Sequence, residues 1–429
     1  MNRARRLSLG AVPALFSALA LVWLHGRPRA VTFADVAPIL ARRCLGCHAD
    51  QGLAARPSLR RYADVVRFRA MIRSAVWTRR MPPWLADNSG VCGRWQDALW
   101  LPNDEVQTIV AWIDGGAHGA DPETAATRAE PAPTLAHVDA TLDTKAPFTP
   151  GLVDQAYRCF LVDPRLASDH LLTAMLVTSS DPRMVAQLNI FSLDSEAAEV
   201  AAARLDRTAV GAGYPCYASP LVSPHRLVAS WTWDSPLLRF PRRTGVRLLR
   251  GRKLVMQIHY NVITSGLSAS TQTRVDLEFD DLAREASFID LTPPSFALPP
   301  GKRLATTRGE MTLPSALTVW GVAPRMHTRA QNMEVDRLES AGNRCLASFE
   351  HWNVYRQRIF FYAEPQRLAR GDRLRVSCTY DTESRQEPVL KGDDIGDEDC
   401  TASLYVTANQ GDAIPVHRGA CAAGGRAPS

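Results

Sequence analysis

The segment CLGCH, residues 44–48, combines two thiols and an imidazole at a spacing that suits one chemistry. Cys44 and Cys47 lie one helical turn apart, so both can form thioether bonds to the vinyl groups of one haem, and His48 can bind its iron. A redox or zinc Cys-x-x-Cys motif is the alternative, but zinc would need a second Cys or His pair nearby, and none follows. The pattern therefore predicts covalently bound haem c.

A haem of this kind needs a second axial ligand, and Met81 in the segment RRMPPW is the candidate. The two prolines after Met81 stiffen the chain, so the loop could hold a thioether against the iron. Met71 lies within a helical pattern, RYADVVRFRAMIRSAV, and is expected to fill a core instead.

Helical patterns flank these residues and would position them. TFADVAPILARRC has apolar residues at helical spacing and leads into the haem motif, and LPNDEVQTIVAWIDGG ends at a glycine pair. Together they predict a small all-α cytochrome c domain over residues 31–120. Residues 121–150 are rich in Pro, Ala, Thr and acidic side chains without a period, which is typical of a linker.

The N-terminal 30 residues combine a basic start, MNRARR, with the apolar run LSLGAVPALFSALALVWL. This pattern predicts either a cleaved export signal or an uncleaved N-terminal membrane anchor. Either reading places the remainder in the periplasm or another extracytoplasmic compartment. The nine cysteines fit such an oxidising environment, where some of them can pair.

The charge pattern bears on the partners. The formal net charge of +6 comes mostly from scattered arginines, without a basic block beyond the N-terminus. Nucleic-acid-binding proteins usually carry a concentrated basic patch, so we expect no nucleic-acid partner. A redox partner protein or a small-molecule substrate is the expectation that remains.

Beyond residue 150 the pattern becomes strand-like. In RLLRGRKLVMQIHYNV, Leu254, Met256, Ile258 and Tyr260 alternate with residues that face the other way. Several similar short runs lie between turn signals such as RGD and PPG, and few convincing helices are present. We expect two all-β sandwich domains, over residues 151–282 and 283–429.

An ordered set of landmarks runs through this region, namely YRCF (157–160), GYPCY (213–217), GRKLVMQIHYN (251–261), VWGVAPRMH (319–327), LARGDRLRVSCTYD (368–381) and GDEDC (396–400). In these landmarks the chain resembles the copper type II ascorbate-dependent monooxygenases, the group of peptidylglycine α-hydroxylating and dopamine β-monooxygenase, in a bacterial form with an N-terminal cytochrome c. The resemblance implies two jelly-roll domains with one copper on each. It also implies oxygen and substrate binding at the second copper and electron transfer across a solvent-filled gap.

Four of the six positions that the resemblance assigns to copper carry other residues. The corresponding positions are Ala186, Gln187 and His259 in the first site and Arg325, His327 and Asp399 in the second. Only the two histidines match the family. Copper that cycles between two oxidation states favours imidazole and thioether ligands, whereas alanine offers no donor and arginine stays cationic. We therefore expect neither site to bind copper in the family manner.

Two of the substitutions are complementary in charge. Arg325 replaces a histidine and Asp399 replaces the methionine, so the two side chains could form an ion pair where the metal was. Similarly, Gln187 is expected to hydrogen-bond to His259 in the first site. The alternative is independent loss of the ligands, with each side chain turned to solvent.

The resemblance also implies a disulfide between Cys378 and Cys400. Another pair is expected among Cys159, Cys216 and Cys345, without a preferred pairing, and Cys92 is unassigned. Cys421 lies in a Gly/Ala-rich tail and is expected to be free.

Three functions fit these observations. The first is an exported haem c electron-transfer protein fused to a monooxygenase-like module that binds a ligand or partner protein without copper. The second, which is the main alternative, is an active oxidoreductase that receives electrons from the fused cytochrome. Its β module would hold a metal through non-standard ligands, or the haem itself would react. The third is a scaffold that presents a haem to a membrane complex.

Overall fold

A computed structural model describes residues 29–49, 57–124, 133–151, 156–234, 237–262, 269–409 and 414. The predicted export signal or anchor lies outside these residues apart from its last two positions, and Cys421 lies outside them as well. Within the described ranges, no helix is both long and apolar enough to cross a lipid bilayer.

Helices dominate the region before residue 120. They are α1 (Phe33–Arg43), α2 (Leu45–His48), α3 (Tyr62–Arg67), α4 (Arg69–Trp77) and α5 (Asn103–Asp114). The apolar residues of α1 recur at helical spacing and pack against those of α5, and the core includes Phe33, Leu40, Ile109 and Trp112. The Thr32 amide donates to Asp35 Oδ2 at 2.8 Å, which closes a capping box at the start of α1. The helices predicted at both ends of this region are therefore present.

Strands are the main secondary structure after residue 139 in the described part of the chain. The first ten are β1 (Ala140–Asp143), β2 (Ala156–Val162), β3 (His170–Ser179), β4 (Val185–Leu193), β5 (Tyr214–Pro215), β6 (His225–Thr232), β7 (Leu237–Arg239), β8 (Thr244–Leu248), β9 (Leu254–Tyr260) and β10 (Thr273–Phe279). The others are β11 (Arg284–Leu291), β12 (Ala297–Leu298), β13 (Ala305–Thr312), β14 (Leu317–Arg325), β15 (Ala330–Leu338), β16 (Arg344–Phe349), β17 (Phe360–Leu368), β18 (Arg373–Tyr380), β19 (Val389–Leu390) and β20 (Thr401–Ala408). We call this part the β module, with β1–β10 as its N-terminal half and β11–β20 as its C-terminal half.

Each half of the β module is built from two sheets with a common core. In the N-terminal half, the five-stranded sheet β5-β2-β9-β4-β6 packs on β1, β10, β3, β7 and β8. In the C-terminal half, the four-stranded sheet β13-β18-β15-β16 packs on β11, β20, β14 and β17. A parallel pairing of β8 with β11 joins the halves, so nine strands form one continuous sheet. The expectation of a mostly β chain built from sandwiches is confirmed.

Among the described residues, a helix that was not predicted from the sequence interrupts the strands. Helix α6 (Glu196–Thr208) follows β4, and its N-cap Ser195 accepts a hydrogen bond from the Ala198 amide at 3.1 Å. Its buried residues, Ala198 and Ala202, are small, so few large apolar side chains mark its inner face. That composition explains why the strand-rich pattern around it concealed the helix.

Strand β9 shows the predicted alternation. Leu254, Met256, Ile258 and Tyr260 join the core of the N-terminal half, whereas His259 points to the other face, which is also buried. Both faces of this strand are therefore covered, and a polar side chain on its outer face lies inside the protein.

Gly321 allows β14 to pass close to β17 at a β-bulge. The register shifts between Val319 and Gly321, and a Cβ at Gly321 would lie 2.7 Å from the Phe360 carbonyl oxygen. We expect Gly321→Ala to lower the free energy of unfolding by about 2 kcal/mol, because the strands would have to separate. Chemical denaturation measures this change. Gly396→Ala is the control, since nothing lies within 4 Å of a Cβ there; equal stability of the two variants would contradict the packing argument.

Candidate functional site

The haem motif forms a single helical turn at the end of α1. The amides of Cys47 and His48 donate to the Cys44 carbonyl at 3.1 and 2.9 Å, so the segment is wound tightly and both thiols project from one turn. Both cysteines are free thiols and half-buried. Burial raises the pKa of Cys44 to about 12 and that of Cys47 to about 11, which keeps the thiols protonated near neutral pH.

His48 is oriented by a backbone hydrogen bond. Its Nδ1 lies 2.9 Å from the carbonyl oxygen of Pro57 and, as the donor, carries the ring proton. The Nε2 lone pair is then available to a metal, which is the arrangement that metal-binding histidines commonly show. The imidazole therefore fits the role of an axial ligand.

A large cavity opens beside this motif. Its volume is about 1900 Å³, and its walls include Cys44, Cys47, His48 and Met81. Pockets for small ligands are typically only roughly 300–1,000 Å³, so there is room here for a group as large as a haem. The residues predicted to hold the haem are thus brought to one cavity.

Two methionines line the cavity rather than one. Met81 is 40% exposed, and its amide donates to the Ala75 carbonyl at 3.1 Å. Met71, which was expected in a core, is 63% exposed and also lies in the cavity wall. The expectation for Met71 is wrong because its face of α4 meets the cavity and not the helical core.

The opposite wall of the cavity comes from the β module. Arg183 and Trp233 belong to its N-terminal half, whereas His351, Trp352 and Arg356 belong to its C-terminal half. No sequence pattern connects these residues with the haem motif, because they are far from it along the chain. Only the docking of the helices on the β module brings them to the cavity.

That docking depends on residues 84–96, which we call the strap. The strap follows the loop that carries Met81 and pairs with two strands of the C-terminal half, through Ala86 with Phe349 and through Trp95 with Tyr362. The Trp95 ring stacks on the Tyr362 ring at 4.4 Å. Several side chains of the strap belong to the core of the C-terminal half. The loop with Met81 is therefore anchored on the β module.

Three disulfides are present among the described residues. Cys378 pairs with Cys400, as the family resemblance implies. Cys159 pairs with Cys216 inside the N-terminal half. The third joins Cys92 of the strap to Cys345 of β16 across 253 residues of sequence. Cys92 thus has a partner, and the bond fixes the strap covalently to the β module. Such bonds are typical of an oxidising, extracytoplasmic environment.

The positions that correspond to the first copper site lie side by side on β4 and β9. Gln187 and His259 are directly opposite each other in the sheet, and Ala186 beside them is 1% exposed. The prediction that Gln187 bonds to His259 is wrong. The Gln187 amide donates to the Gln357 carbonyl at 2.8 Å instead, because a backbone acceptor from the C-terminal half reaches it.

His259 lies in a stack of three aromatic rings. Its ring is 3.9 Å from that of Tyr157 and 4.5 Å from that of Tyr355, nearly parallel to both. Both ring nitrogens are buried and have no hydrogen-bond partner within the described part of the chain. Burial lowers the pKa of His259 to about 3, so the ring is neutral at physiological pH.

Arg325 and Asp399 form the predicted ion pair at the second position. Arg325 Nε lies 2.5 Å from Asp399 Oδ2. Burial alone lowers the pKa of Arg325, but Asp399 together with Asp290 and Asp393 outweighs it, and the pKa is raised. Conversely, burial raises the pKa of Asp399, but Arg325 and other groups outweigh it, and the pKa is lowered. Both groups are therefore charged, and Asp399 is also held by the Cys400 amide and the Thr401 hydroxyl at 2.8 Å.

His327 follows the ion pair and is held by its own backbone contacts. Its Nδ1 donates to the Asp397 carbonyl at 2.9 Å, and its amide donates to Glu398 Oε2 at 2.9 Å. Its Nε2 is buried without a partner among the described residues, and burial lowers the pKa of the ring. The Nε2 atom of His327 is thus available to bind a further group.

Tyrosine rings lie between the two histidines. Tyr157, which stacks on His259, contacts the ring of Tyr217 at 5.2 Å, and Tyr217 contacts the ring of His327 at 4.8 Å. The two positions are therefore connected through packed aromatic side chains. The resemblance to the copper enzymes had implied a solvent-filled gap here.

Two short links join these positions to the cavity. Trp352 lines the cavity, and its indole N–H donates to the His327 carbonyl at 2.9 Å. Arg356 also lines the cavity and directly follows Tyr355, which stacks on His259. The cavity and both remnant histidines thus belong to one connected region.

The C-terminal half of the β module can be assigned to a class. Residues 291–412 match the family described as copper type II ascorbate-dependent monooxygenase, C-terminal domain. This part of the chain therefore belongs to that family, and the resemblance found in the sequence landmarks is confirmed for it. The matched range contains Arg325, His327 and Asp399, together with the Cys378–Cys400 disulfide.

Other comparisons add little. No curated protein matches the chain. The structure of PNGF-II is 8% identical with a TM-score of 0.27, over 63% of this chain and 66% of that chain, which is just under two thirds. The VP2 subviral particle of infectious bursal disease virus is 10% identical with a TM-score of 0.18, over 64% and 72%. TM-scores this low support no conclusion about fold or function.

Proposed function

We propose that the chain is an exported haem c electron-transfer protein with a cytochrome c domain over residues 31–120. In this proposal, residues 151–282 and 283–429 form the two jelly-roll domains of a copper-free, monooxygenase-like module that binds a ligand or partner protein. The observation that carries it is the cavity that brings Cys44, Cys47, His48 and Met81 together beside a correctly oriented imidazole. The periplasm is the proposed location.

The residues of the cavity fit a haem. Cys44 and Cys47 would hold it covalently, His48 would bind the iron through Nε2, and Met81 would offer its thioether as a further iron ligand. Haem, when bound, supplies reversible one-electron exchange. The Pro57 carbonyl orients the His48 ring, and Trp233 and Trp352 form part of the cavity wall.

The residues at the two copper positions do not fit copper. In the first, Ala186 has no donor atom, the Gln187 amide is engaged elsewhere, and the faces of His259 are covered by two tyrosines. In the second, the cation of Arg325 lies where an imidazole would bind. Among the described residues, no group of three or more His, Cys, Asp or Glu side chains is arranged to hold a metal. We therefore derive no chemistry through copper.

A second candidate is an active oxidoreductase that receives electrons from the haem. The observation in its favour is that His259 and His327 keep buried ring nitrogens without partners in the described ranges. Such atoms often mark the place of a ligand or water. Oxygen consumption that depends on an electron donor and falls in His327→Ala would favour this candidate over the first.

Covalent haem attachment tests the first proposal. We expect wild-type protein, matured in a host that attaches haem c, to retain haem after denaturation, and Cys44→Ala with Cys47→Ala to lose all covalent haem. Haem staining of a denaturing gel and the intact mass measure this. Met81→Leu should keep the haem but change its axial-ligand spectrum, whereas Met71→Leu is the matched control and should change neither. Wild-type protein without covalent haem would contradict the proposal.

A further inference from the structure

One cation in the cavity wall lacks a counterpart. Arg356 ends a short 3₁₀ turn, Val354–Arg356, and its Nη1 is buried without a hydrogen-bond partner among the described residues. Its guanidinium lies over the Trp233 ring, 4.7 Å from the centroid. A buried guanidinium nitrogen without an acceptor is costly, so its position indicates an anion that belongs there.

The nearest carboxylate does not fill this role. Asp234 is 5% exposed and already accepts from the Thr232 hydroxyl at 2.6 Å and pairs with Arg358 at 3.3 Å. Burial lowers the pKa of Arg356, and the charge of Asp234 opposes this shift. The single carboxylate of Asp234 interacts with both Arg356 and Arg358. This cluster of three side chains therefore carries a net positive charge.

The other four arginines of the cavity wall have partners of their own or face solvent. Arg80 is exposed, and its Nε donates to the Thr78 hydroxyl at 3.3 Å. Arg43 pairs with Glu105 at 3.0 Å, and Arg183 pairs with Asp181 at 2.8 Å. Arg79 donates to the Leu101 carbonyl and to the Asn103 side chain. Arg356 thus differs from them in having a buried nitrogen that is free to bind an anion.

Arg356 also lies close to the haem motif. Arg356 lines the same cavity as Cys44, Cys47 and His48, so its guanidinium faces the space in which the haem would lie. The anionic groups of a haem are its propionate carboxylates, and a guanidinium binds a carboxylate through two parallel hydrogen bonds.

We propose that Arg356 binds a haem propionate and is a positioning residue of the haem, supplied by the β module to the cavity of the helical region. The inference rests on the proposed function, because it requires haem in this cavity. A cation beside the haem stabilises the reduced, less positive state, so Arg356 raises the reduction potential. The adjacent residues Tyr355 and Gln357 contact His259 and Gln187, so the turn that holds the propionate also contacts the first remnant position.

Redox titration of the holoprotein tests this inference. We expect Arg356→Gln to lower the ratio of reduced to oxidised haem about tenfold at a fixed poise, which is a shift of about 59 mV to a more negative potential for one electron. Arg356→Lys keeps the charge but loses the paired hydrogen bonds, so its shift should have the same sign and be smaller. Arg183→Gln is the matched control in the same cavity wall and should leave the potential unchanged.

The outcomes separate the inference from the proposed function. Wild-type protein without covalent haem overturns both. Covalent haem with the wild-type potential in Arg356→Gln, or with an equal shift in Arg183→Gln, overturns the inference alone. If Arg356→Gln does not accumulate, the Arg356→Lys variant decides, because an unchanged potential there contradicts the paired hydrogen bonds.

Discussion

Replacing Arg325 with leucine is expected to lower the free energy of unfolding by about 3 kcal/mol, because it leaves the buried carboxylate of Asp399 without its cation. The Asp399 side chain is only 6% exposed, so water cannot replace the lost partner. The hydrogen bonds from the Cys400 amide and the Thr401 hydroxyl remain and keep the loss at the lower end of the usual range. Chemical denaturation of the variant and wild type measures the difference.

The reverse replacement should cost less. The Arg325 side chain is 34% exposed, so in Asp399→Asn the guanidinium can reach water, and we expect a loss of about 1 kcal/mol. The double variant Arg325→Leu with Asp399→Asn should recover most of the stability that Arg325→Leu loses. Arg247→Leu is the control, because its pair with Glu285 is exposed on both sides and should contribute less than about 1 kcal/mol. If Arg325→Leu and Arg247→Leu lower the free energy of unfolding equally, the pair of Arg325 with Asp399 does not act as a buried ion pair.

The pH dependence provides an independent signature of this pair. The pKa of Asp399 is lowered in the folded protein, so its contribution to stability is present at neutral pH and is lost as the pH falls through the folded pKa. In Arg325→Leu, burial without the cation should raise that pKa above its unfolded value. The variant then becomes less stable as the pH rises through the raised pKa. The stability difference between the two proteins should therefore shrink toward acidic pH.

Removing the disulfide of the strap is the second change with a large expected effect. Cys92→Ser with Cys345→Ser should lower the free energy of unfolding by about 2–4 kcal/mol, because the bond closes a very long loop in the unfolded chain. The strap should also open more often. The amides of Asp87 and Gln96, which donate to the Ser348 and Phe361 carbonyls at 2.8 Å, should exchange hydrogen faster.

Hydrogen exchange followed by mass spectrometry measures this opening for residues 84–96. The matched region is helix α5, whose exchange should not change, because it packs in the helical core and is not part of the strap. Unchanged protection of the strap in the double variant would mean that Trp84, Trp95 and the backbone pairing hold it without the disulfide.

Local patterns predicted the parts of the fold that depend on neighbouring residues. The apolar spacing of α1 and α5, the alternation of β9 and the haem motif each act over a few residues, so the sequence alone shows them. The pair of Arg325 with Asp399 was predicted because family landmarks gave two distant positions a common place. In each case a known spacing or a family landmark related the residues to each other without knowledge of the fold.

Contacts between separate parts of the chain were not predicted. The strap lies within the segment expected to be a self-contained domain, yet its tryptophans pack in the β module and Cys92 pairs with Cys345. The Gln187 amide donates to the backbone carbonyl of Gln357 in the C-terminal half. The sequence of side chains does not show which backbone carbonyls are available as acceptors. The cavity wall that contains Arg356 depends on the same docking.

Metal and haem analysis of the purified holoprotein, after copper loading and extensive dialysis, distinguishes a copper-free haem protein from a copper enzyme. We expect iron in covalent haem, stoichiometric with the chain, and no copper retained above that of a mock-loaded control. Copper retained in stoichiometric amounts, and lost in a variant with both His259→Ala and His327→Ala, would contradict the copper-free module. Absence of covalent haem would contradict the electron-transfer function.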